Sequence, residues 1–430
     1  MRKTKRLIAV LLVFAMAQML TACGGSAGGS EGGSGGSSKG SGTLTVAIWD
    51  VGQQPGLQEI MDAFTEETGI KTSLQVIEWD SYWTLLEAGA SGGEMPDVFW
   101  MHSNEAYRYM SNDILLDLTD QIAESDVLEM DKFPEDLKEM YQLDGKTYAV
   151  PKDMDTVAIW YNKDMFDEAG IPYPDGSWTW DEFYDIAVKL TKDDGSQYGF
   201  AASTVNEQDT WMNIIYSMGG CVLTDDWKSG FDDPNTVKAM EFVDKCVKNV
   251  MPPAATMSET GTDVLFSSQK VAMISQGSWM VSAFKDNEDI VAHGDVARLP
   301  KGDETGKSIS MYNGLGWAAS ANTGMPDEAY KLIEWFGTKD MQQKQADLGV
   351  TMSAYEGVSD NWVNCTDAFH LQPYLDALEG DLVFRPHTNS TLAWWNPMVE
   401  ALKAPWNGEA DMAETCQKIA DMMNETIAEE

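Results

Sequence analysis

Hydrophobic residues along the first folded stretch of the chain change between two periods. They fall at alternate positions over residues 43–50, which is typical of a β-strand. From Leu57 to Phe64 they recur at helical spacing, and Thr68-Gly69 ends that pattern. Alternation returns over 70–77, so the chain is predicted to run strand, helix, strand.

The same succession continues to residue 100. The spacing predicts a helix over 82–90 that Gly92-Gly93 interrupts, and a short strand over 97–100. Alternating strands and helices favour a parallel sheet, and the predicted fold class is α/β. Ligands bind such sheets beyond the carboxyl ends of the strands, which is where Trp49-Asp50 and Trp100 fall.

The remaining elements are assigned from the same signals. They are a turn at 144–146, an edge strand at 148–151, a strand at 157–161, a helix end, turn and strand within 266–279, and helices at 180–189, 212–218, 236–248, 329–338 and 413–428. Gly337 is expected to close the helix at 329–338. No internal repeat is visible.

The first residues predict export and not folded structure. Basic residues precede an apolar run over 7–20 that is too short to span a membrane comfortably. The run ends in Leu20-Thr21-Ala22-Cys23, which matches the lipobox of bacterial lipoproteins, so residues 1–22 are predicted to be removed and Cys23 to carry lipid. An ordinary secretory signal is the alternative. Residues 23–42 are almost wholly Gly and Ser, a composition typical of a flexible tether.

Composition narrows the classes of function. Of 430 residues, 43% are hydrophobic, which argues against a disordered chain. The formal charge of −40 would repel phosphate backbones, so a nucleic-acid partner is not expected. The 16 Trp stand against only four His, and therefore flat apolar faces are abundant while neutral-pH bases are few.

Cysteine and histidine spacing indicates neither a metal site nor a cofactor. Cys221, Cys246, Cys365 and Cys416 lack the Cys-x-x-Cys spacing of metal or redox sites. An exported chain permits disulfides, and the four thiols allow three pairings, of which joining Cys221 to Cys246 and Cys365 to Cys416 is the most local. The sequence leaves open whether any bridge forms.

Short motifs along residues 43–345 carry a resemblance. They include Gly93-Glu94-Met95-Pro96-Asp97-Val98-Phe99, Asp144-Gly145-Lys146-Thr147-Tyr148-Ala149-Val150-Pro151, Trp160-Tyr161-Asn162-Lys163-Asp164-Met165-Phe166 and Gly277-Ser278-Trp279, with others at 64–71, 116–118, 178–183 and 271–273. In this order the chain resembles extracellular solute-binding lipoproteins of ABC importers, in the maltose-binding-protein-like branch (family 1) for sugars and oligosaccharides.

The resemblance implies a two-lobed, periplasmic-binding-protein-like (type II) Venus-flytrap fold with discontinuous lobes. Lobe one is expected at 43–152 and 302–345, and lobe two at 153–301 and 346–430. Hinges would lie near Pro151-Lys152, at 299–301 and near Gly349. A carbohydrate would bind in the cleft between the lobes and be delivered to the transmembrane subunits of the permease. The protein would be a monomer on the outer face of the cell membrane.

A neutral sugar needs aromatic plates for its C–H faces and planar polar groups for its hydroxyls. The predicted ligand-binding set consists of positions that match the family's contact positions, of Trp317, and of Arg385 and Trp395, which are candidates by composition and location. This set is Trp49, Asp50, Gln53, Gln54, Trp100, Asp155, Trp211, Trp279, Asn313, Gly314, Trp317, Arg385 and Trp395. For each Trp the alternative is a place in the core.

Three other hypotheses about the function remain open. Acids and aromatics together could bind a polyamine through charge and cation–π attraction. A tethered sugar sensor or adhesin would share the fold and the cleft. A secreted glycoside hydrolase would also need an aromatic cleft and paired carboxylates, but the lipobox, the tether and the ordered motifs argue against an enzyme.

Overall fold

Two separate β-sheets organise the structure, a computed structural model that describes residues 42–203 and 208–430. The first has five strands: β1 (Thr43–Ile48), β2 (Lys71–Val76), β3 (Val98–Met101), β6 (Ala149–Pro151) and β11 (Gly316–Ala319). Their order is β2-β1-β3-β11-β6. Strands β1, β2 and β3 are parallel, as the sequence predicted, whereas β11 runs antiparallel to both of its neighbours.

The second sheet has three strands: β7 (Val157–Asn162), β8 (Met273–Gly277) and β9 (Gly294–Ala297), in the order β8-β7-β9. Both β8 and β9 pair antiparallel with β7. Two small pairs complete the strands: the hairpin of β4 (Gln142–Leu143) with β5 (Lys146–Thr147), and the parallel pair of β10 (Ile309–Tyr312) with β12 (Asp381–Phe384).

Helices cover the faces of both sheets. They are α1 (Gln54–Thr68), α2 (Trp79–Gly92), α3 (Ser103–Ser111), α4 (Thr119–Glu124), α5 (Glu135–Met140), α6 (Lys163–Ala169), α7 (Trp180–Leu190), α8 (Trp211–Ser217), α9 (Pro234–Asn249), α10 (Ala254–Glu259), α11 (Thr262–Ser267), α12 (Val281–Phe284), α13 (Glu288–His293), α14 (Pro326–Gly337), α15 (Lys339–Asp347), α16 (Gln372–Leu378), α17 (Thr391–Trp406) and α18 (Met412–Ile427), with 3-10 turns at Met130–Lys132, Ser278–Met280 and Trp362–Asn364.

Each sheet is buried on both faces, because alternate residues of its central strand enter different hydrophobic clusters. On β3, Val98 and Trp100 join the cluster beneath α1, while Phe99 joins the cluster beneath α2. On β7, Ile159 and Trp160 divide between two clusters in the same way. This period of two is what a strand covered on both sides requires.

The glycine expected to close α14 has another role. Gly337 lies inside the last turn, and Thr338 caps the helix in an extended conformation. A Cβ at Gly337 would lie 2.6 Å from Leu128 Cδ1 and 2.8 Å from Val150 Cγ1. The prediction was therefore wrong in its reason: the residue is small because a neighbouring strand and loop approach closely. Gly69 does end α1 as predicted, with φ of 72°.

The chain passes between the two sheets through adjacent extended segments. The Lys152 N–H donates to Leu315 O at 2.7 Å, and the Asp155 N–H donates to Asn313 O at 3.0 Å. Asp153 also forms an antiparallel bridge with Ser353. Three stretches distant in sequence thus lie side by side between the sheets, and they position the site. We call residues 152–155 the first crossing segment and residues 313–315 the second.

Some sequence predictions concern parts outside the described residues. The predicted signal at 1–22, Cys23 and all but the last residue of the predicted tether lie there. Within 42–203 and 208–430 no helix combines the length and the hydrophobicity needed to cross a bilayer. Cys221, Cys246, Cys365 and Cys416 are free thiols. Burial raises the pKa of Cys246 and of Cys416 to about 12.

Candidate functional site

Aromatic rings collect where β1 and β3 end. The Trp49 ring centroid lies 4.8 Å from that of Trp100 and 5.0 Å from those of Trp79 and Tyr82, all edge to face. Trp83 lies 6.0 Å from Trp49. Because β1 and β3 are neighbouring parallel strands, their carboxyl ends bring Trp49 and Trp100 together. We call Trp49, Trp79, Tyr82, Trp83 and Trp100 the aromatic cluster.

A polar chain runs from the loop after β1 to the first crossing segment. Asp50 accepts hydrogen bonds from the Gly52 N–H at 2.8 Å and from Gln53 Nε2 at 2.9 Å. Gln53 Oε1 in turn accepts from Lys152 Nζ at 2.9 Å. The Lys152 ammonium pairs with Asp153 Oδ2 at 2.5 Å and lies 4.4 Å from the centre of the Trp100 ring. A protein cation thus already occupies one aromatic face.

Asp155 joins residues from two other segments. Its Oδ1 accepts from the Asn313 N–H at 3.0 Å and from Gln208 Nε2 at 2.6 Å. Asp153, two residues earlier on the same extended segment, makes the corresponding contact and accepts from the Leu315 N–H at 2.7 Å. Both carboxylates therefore hold the segment at 313–315 against the first crossing segment.

His102 connects the aromatic cluster with these polar groups. Its Nδ1 accepts from the Asn104 N–H at 3.1 Å, so a neutral ring carries its proton on Nε2. Nε2 lies 3.4 Å from the side-chain amide of Asn313. The ring centroid of His102 is 5.4 Å from that of Trp79. His102 therefore contacts both the rings and the crossing segments.

Arg385, which follows β12, reaches this group from a distant part of the sequence. Its guanidinium donates to Asn104 Oδ1 and lies 4.6 Å from the centre of the Trp395 ring. Trp395 stacks on Trp211, with ring centroids 6.2 Å apart and planes within 15°. Arg385 is only 2% exposed. A second aromatic face near the crossing segments is thus also covered by a protein cation.

Burial perturbs the titratable groups of the site. Desolvation raises the pKa of Asp50, although hydrogen bonds from Gln53 and Gly52 oppose it. Desolvation and the charge of Asp153 raise the pKa of Asp155 well above its ordinary value. Desolvation, with a smaller contribution from Arg385, lowers the pKa of His102 to about 3. His102 is therefore neutral near pH 7.

The predicted site residues divide into those that meet and those that do not. Nine of them are joined by the contacts above: Trp49, Asp50, Gln53, Trp100, Asp155, Trp211, Asn313, Arg385 and Trp395. Gln54 is half-buried as the first residue of α1. Gly314 lies in the second crossing segment, where a Cβ would come 2.2 Å from Asp153 O.

Two predicted tryptophans remain. The ring centroid of Trp317 lies 5.9 Å from that of Trp100, so Trp317 borders the aromatic cluster. Trp317 on β11 is fully buried, and its ring stacks on Phe336 at 4.1 Å with planes within 5°, which places it in the core beneath α14. Trp279 is partly exposed, and its ring lies over Gly277, where a Cβ would come 1.9 Å from Trp279 Cζ3. Its helical turn leads to Ser282, whose Oγ would lie 2.8 Å from a Cβ at Gly52. Trp279 thus lies on a segment that faces the loop after β1.

Several residues of the site were missed from sequence. Trp79, Tyr82 and Trp83 lie on α2, where helical spacing alone does not tell a core ring from a site ring. Lys152 belongs to the predicted hinge at Pro151-Lys152 and Asp153 follows it, a signal that could have indicated both residues. Gln208 could not be found in this way, because its link to Asp155 depends on a contact between distant parts of the chain.

No metal centre emerges from these groups. Within the two described stretches, no set of three or more His, Cys, Asp or Glu side chains is arranged to hold a metal ion. The site instead combines tryptophan rings, amides, carboxylates and two internally paired cations. Such a surface can contact apolar C–H faces and exchange hydrogen bonds with hydroxyl groups.

Comparison with known proteins places the chain in a family. Residues 50–343 match the family described as bacterial extracellular solute-binding protein. The galactooligosaccharide-binding protein of Bacillus subtilis is 27% identical over 326 residues, covering 73% of this chain and 72% of that protein. The maltotriose-binding protein of Pyrococcus abyssi is 26% identical over 329 residues, covering 74% and 68%.

Solved structures support the same fold. An ABC substrate-binding protein of Listeria monocytogenes in complex with cycloalternan superposes with a TM-score of 0.81 at 21% identity, covering 90% of this chain and 99% of that one. Maltose-bound MalE3 of Thermotoga maritima gives a TM-score of 0.76 at 18% identity, covering 89% and 99%. The predicted two-lobed type II binding-protein fold is confirmed, and the chain belongs to the family of bacterial extracellular solute-binding proteins.

Proposed function

We propose that this protein is the substrate-binding component of an ABC importer and that it captures a neutral carbohydrate, a mono- or oligosaccharide, between its two lobes. The relatives named for galactooligosaccharide and maltotriose, and the neighbours solved with cycloalternan and maltose, support this class of ligand. Lobe one would comprise 43–152 and 302–345, and lobe two 153–301 and 346–430.

The observation that carries the proposal is the internal pairing of charge beside aromatic rings. Lys152 lies over Trp100 and pairs with Asp153, while Arg385 lies over Trp395. A polyamine bound at these rings would need the Trp100 and Trp395 faces and the Asp153 carboxylate that these cations already contact. Sugar hydroxyls need only the remaining lone pairs and N–H groups, so a neutral ligand fits the site better than a cationic one.

The amide of Asn313 supports a hydroxyl-bearing ligand independently. Asn313 is 1% exposed, and its Oδ1 has no hydrogen-bond partner among the described residues. If the amide were rotated by 180°, its oxygen would face the Nε2–H of His102 and could accept from it. The amide nitrogen would then be the atom without a partner. A buried unpaired polar atom costs about 1–3 kcal/mol. A sugar hydroxyl can either donate or accept, and so would satisfy the amide in both orientations.

Capture would proceed by a population shift between open and closed lobes. Asp50 and Trp100 belong to proposed lobe one, whereas Asp155 and Trp279 belong to proposed lobe two. A sugar that contacts both sets only when the lobes are closed stabilises closure by those extra contacts. The hinges would lie near Pro151-Lys152, at 299–301 and near Gly349, and the closed form would be presented to the permease.

The amino-terminal segment completes the proposal. Cys23 would be lipidated after removal of residues 1–22, and residues 23–42 would tether a monomeric binding protein to the outer face of the cell membrane. The protein would be a carrier of its ligand and not an enzyme acting on it.

Isothermal titration of the purified full chain tests this function. The ligands are maltose, maltotriose, a galactooligosaccharide, cycloalternan and spermidine. We expect heat from at least one carbohydrate and none from spermidine, because the Trp100 and Trp395 ring faces beside the carboxylates of the site already lie against protein cations. Heat from spermidine alone would contradict the proposal.

A matched pair of variants locates the site. Trp279→Ala should abolish carbohydrate binding with little change in melting temperature, since the ring is partly exposed and lies over Gly277. Trp227→Ala is the control, because Trp227 is 58% exposed on the hairpin closed by the Leu223–Ser229 bridge. A large loss of stability with binding retained would show that Trp279 belongs to the core.

A further inference from the structure

Trp79 differs from the other rings of the aromatic cluster in its exposure. Trp49 is partly buried and Trp100 is fully buried, but Trp79 is 38% exposed as the first residue of α2. An isolated exposed hydrophobic residue needs no explanation. Trp79 is not isolated, because its ring contacts three other rings of the site.

The orientation of Trp79 is fixed before any ligand arrives. Its ring meets Trp49 at 5.0 Å and 83°, Trp83 at 5.6 Å and 84°, and His102 at 5.4 Å and 77°. Edge-to-face contacts of this kind are favourable and restrict rotation of the ring. A ring already held in place loses little entropy when a ligand stacks on it.

The rings form a continuous path from the interior to the surface. Centroid steps of 4.8 Å from Trp100 to Trp49 and 5.0 Å from Trp49 to Trp79 lead from a fully buried ring to an exposed one. The polar groups Asp50, Gln53 and Lys152 accompany the buried end of this path. The path therefore begins at the hydrogen-bonding part of the site and ends at solvent.

Resting on the proposed carbohydrate function, we propose that Trp79, supported by Trp83, is an outer stacking subsite for sugar units that extend beyond the buried polar part of the site. The ligand is then an oligosaccharide long enough to reach the surface at α2. Stacking uses the C–H faces common to pyranose rings, so this subsite selects for ligand length more than for the identity of the outer sugar.

The test is a titration series in ligand length with the full chain. Glucose, maltose, maltotriose, maltotetraose and maltohexaose are titrated in parallel with galactose and galactooligosaccharides of increasing length, against wild type, Trp79→Ala and Trp79→Phe. We expect the affinity loss of Trp79→Ala to grow with ligand length and to reach roughly tenfold, equivalent to about 1.4 kcal/mol of stacking. Trp79→Phe should recover part of it.

Trp227→Ala is the matched control, because it removes an indole that is 58% exposed on a hairpin distant in sequence from α2. It should match wild type at every ligand length. Melting temperatures are measured for all variants, and Trp79→Ala should unfold close to wild type because its ring is substantially exposed.

The titration distinguishes failure of the outer subsite from failure of the proposed carbohydrate function. If Trp79→Ala loses the same affinity for every ligand that binds, Trp79 only supports Trp49. If it loses no affinity at any ligand length, the ring lies outside the ligand's reach. Either result overturns the outer subsite and leaves carbohydrate binding intact. Wild type that binds no sugar of either series, at any length, and no cycloalternan overturns both proposals together.

Discussion

Replacing Lys152 with methionine tests whether the buried charges at the crossing segments depend on one another. The Lys152 side chain is 0% exposed, and its ammonium contacts Asp153 at 2.5 Å, Gln53 at 2.9 Å and the Trp100 ring at 4.4 Å. Lys152→Met keeps an unbranched stem of similar length and removes only the charge and its donors. The backbone bonds of residue 152, to Leu315 O and from Gln345 Nε2, remain available.

The magnitude follows from what the substitution leaves behind. The Asp153 side chain is 6% exposed and would keep the Leu315 N–H but lose its only ion pair among the described residues. Removing one partner of a buried pair typically costs about 3–5 kcal/mol, because the other charge stays buried without compensation. Gln53 Oε1 also loses a donor, which adds about 1 kcal/mol. We expect a loss of at least about 3 kcal/mol in the free energy of unfolding.

A second substitution identifies the cause. Asp153→Asn on the Lys152→Met background removes the orphaned charge while keeping an oxygen that can accept from the Leu315 N–H. The double variant should therefore be more stable than Lys152→Met alone. Equilibrium urea unfolding followed by tryptophan fluorescence measures both. A single variant within about 1 kcal/mol of wild type, or a double variant no better than the single one, would refute the reasoning.

Two further predictions concern pH. Burial and the charge of Asp153 raise the pKa of Asp155 above 3.8. Asp155 therefore contributes its full stability below pH 3.8, and this contribution is lost as the pH rises. We expect Asp155→Asn to raise the melting temperature at pH 7 and to match wild type near pH 3. Burial raises the pKa of Glu430, but hydrogen bonds from Ser390 and Thr388 outweigh it and lower the pKa below 4.5. Glu430→Gln should therefore lower stability at pH 7, by less than about 1 kcal/mol because the group is largely solvated, with the difference lost as pH falls below 4.5; an equal difference at pH 3 would contradict the assignment.

Local patterns were sufficient for the first half of the sheet and for one end of the site. Strands β1, β2 and β3 follow one another with helices between them, so the periodicity of successive stretches was sufficient to predict that the three strands are parallel. The carboxyl ends of β1 and β3 then bring Trp49 and Trp100 within 4.8 Å. These two residues could be assigned to one edge of the sheet from sequence because both follow parallel strands of the same strand–helix succession, and in the structure those strands are adjacent.

Insertion of a distant strand could not be foreseen in the same way. Strand β11 enters between β3 and β6 after more than half the chain has passed, and it runs antiparallel to both. Its Trp317 pairs in register with Trp100, yet its ring packs on Phe336 in the core. An apolar residue on a strand buried on both faces looks the same in sequence whichever side it enters.

The second sheet shows the same limit. Strands β8 and β9 are separated by helices and run in the same direction, so their sequence pattern is that of a parallel pair. In the structure β7 lies between them and pairs antiparallel with each. Hydrophobic period identifies a strand without identifying its neighbours. The contacts of Gln208 with Asp155 and of Arg385 with Asn104 depend on that tertiary arrangement, so only the residue types could suggest them.

The overall acidity of the chain does not describe the chemistry of the site. A formal charge of −40 would suggest a cation as ligand if acidic residues in the site were unpaired. Instead Lys152 contacts Asp153 and the Trp100 ring, and Arg385 contacts Asn104 and the Trp395 ring. A cationic ligand would have to displace these protein cations, whereas hydroxyl groups can bind without disturbing them. At these two rings, what a ligand meets is therefore set by the positions of Lys152 and Arg385 and not by the net charge of the chain.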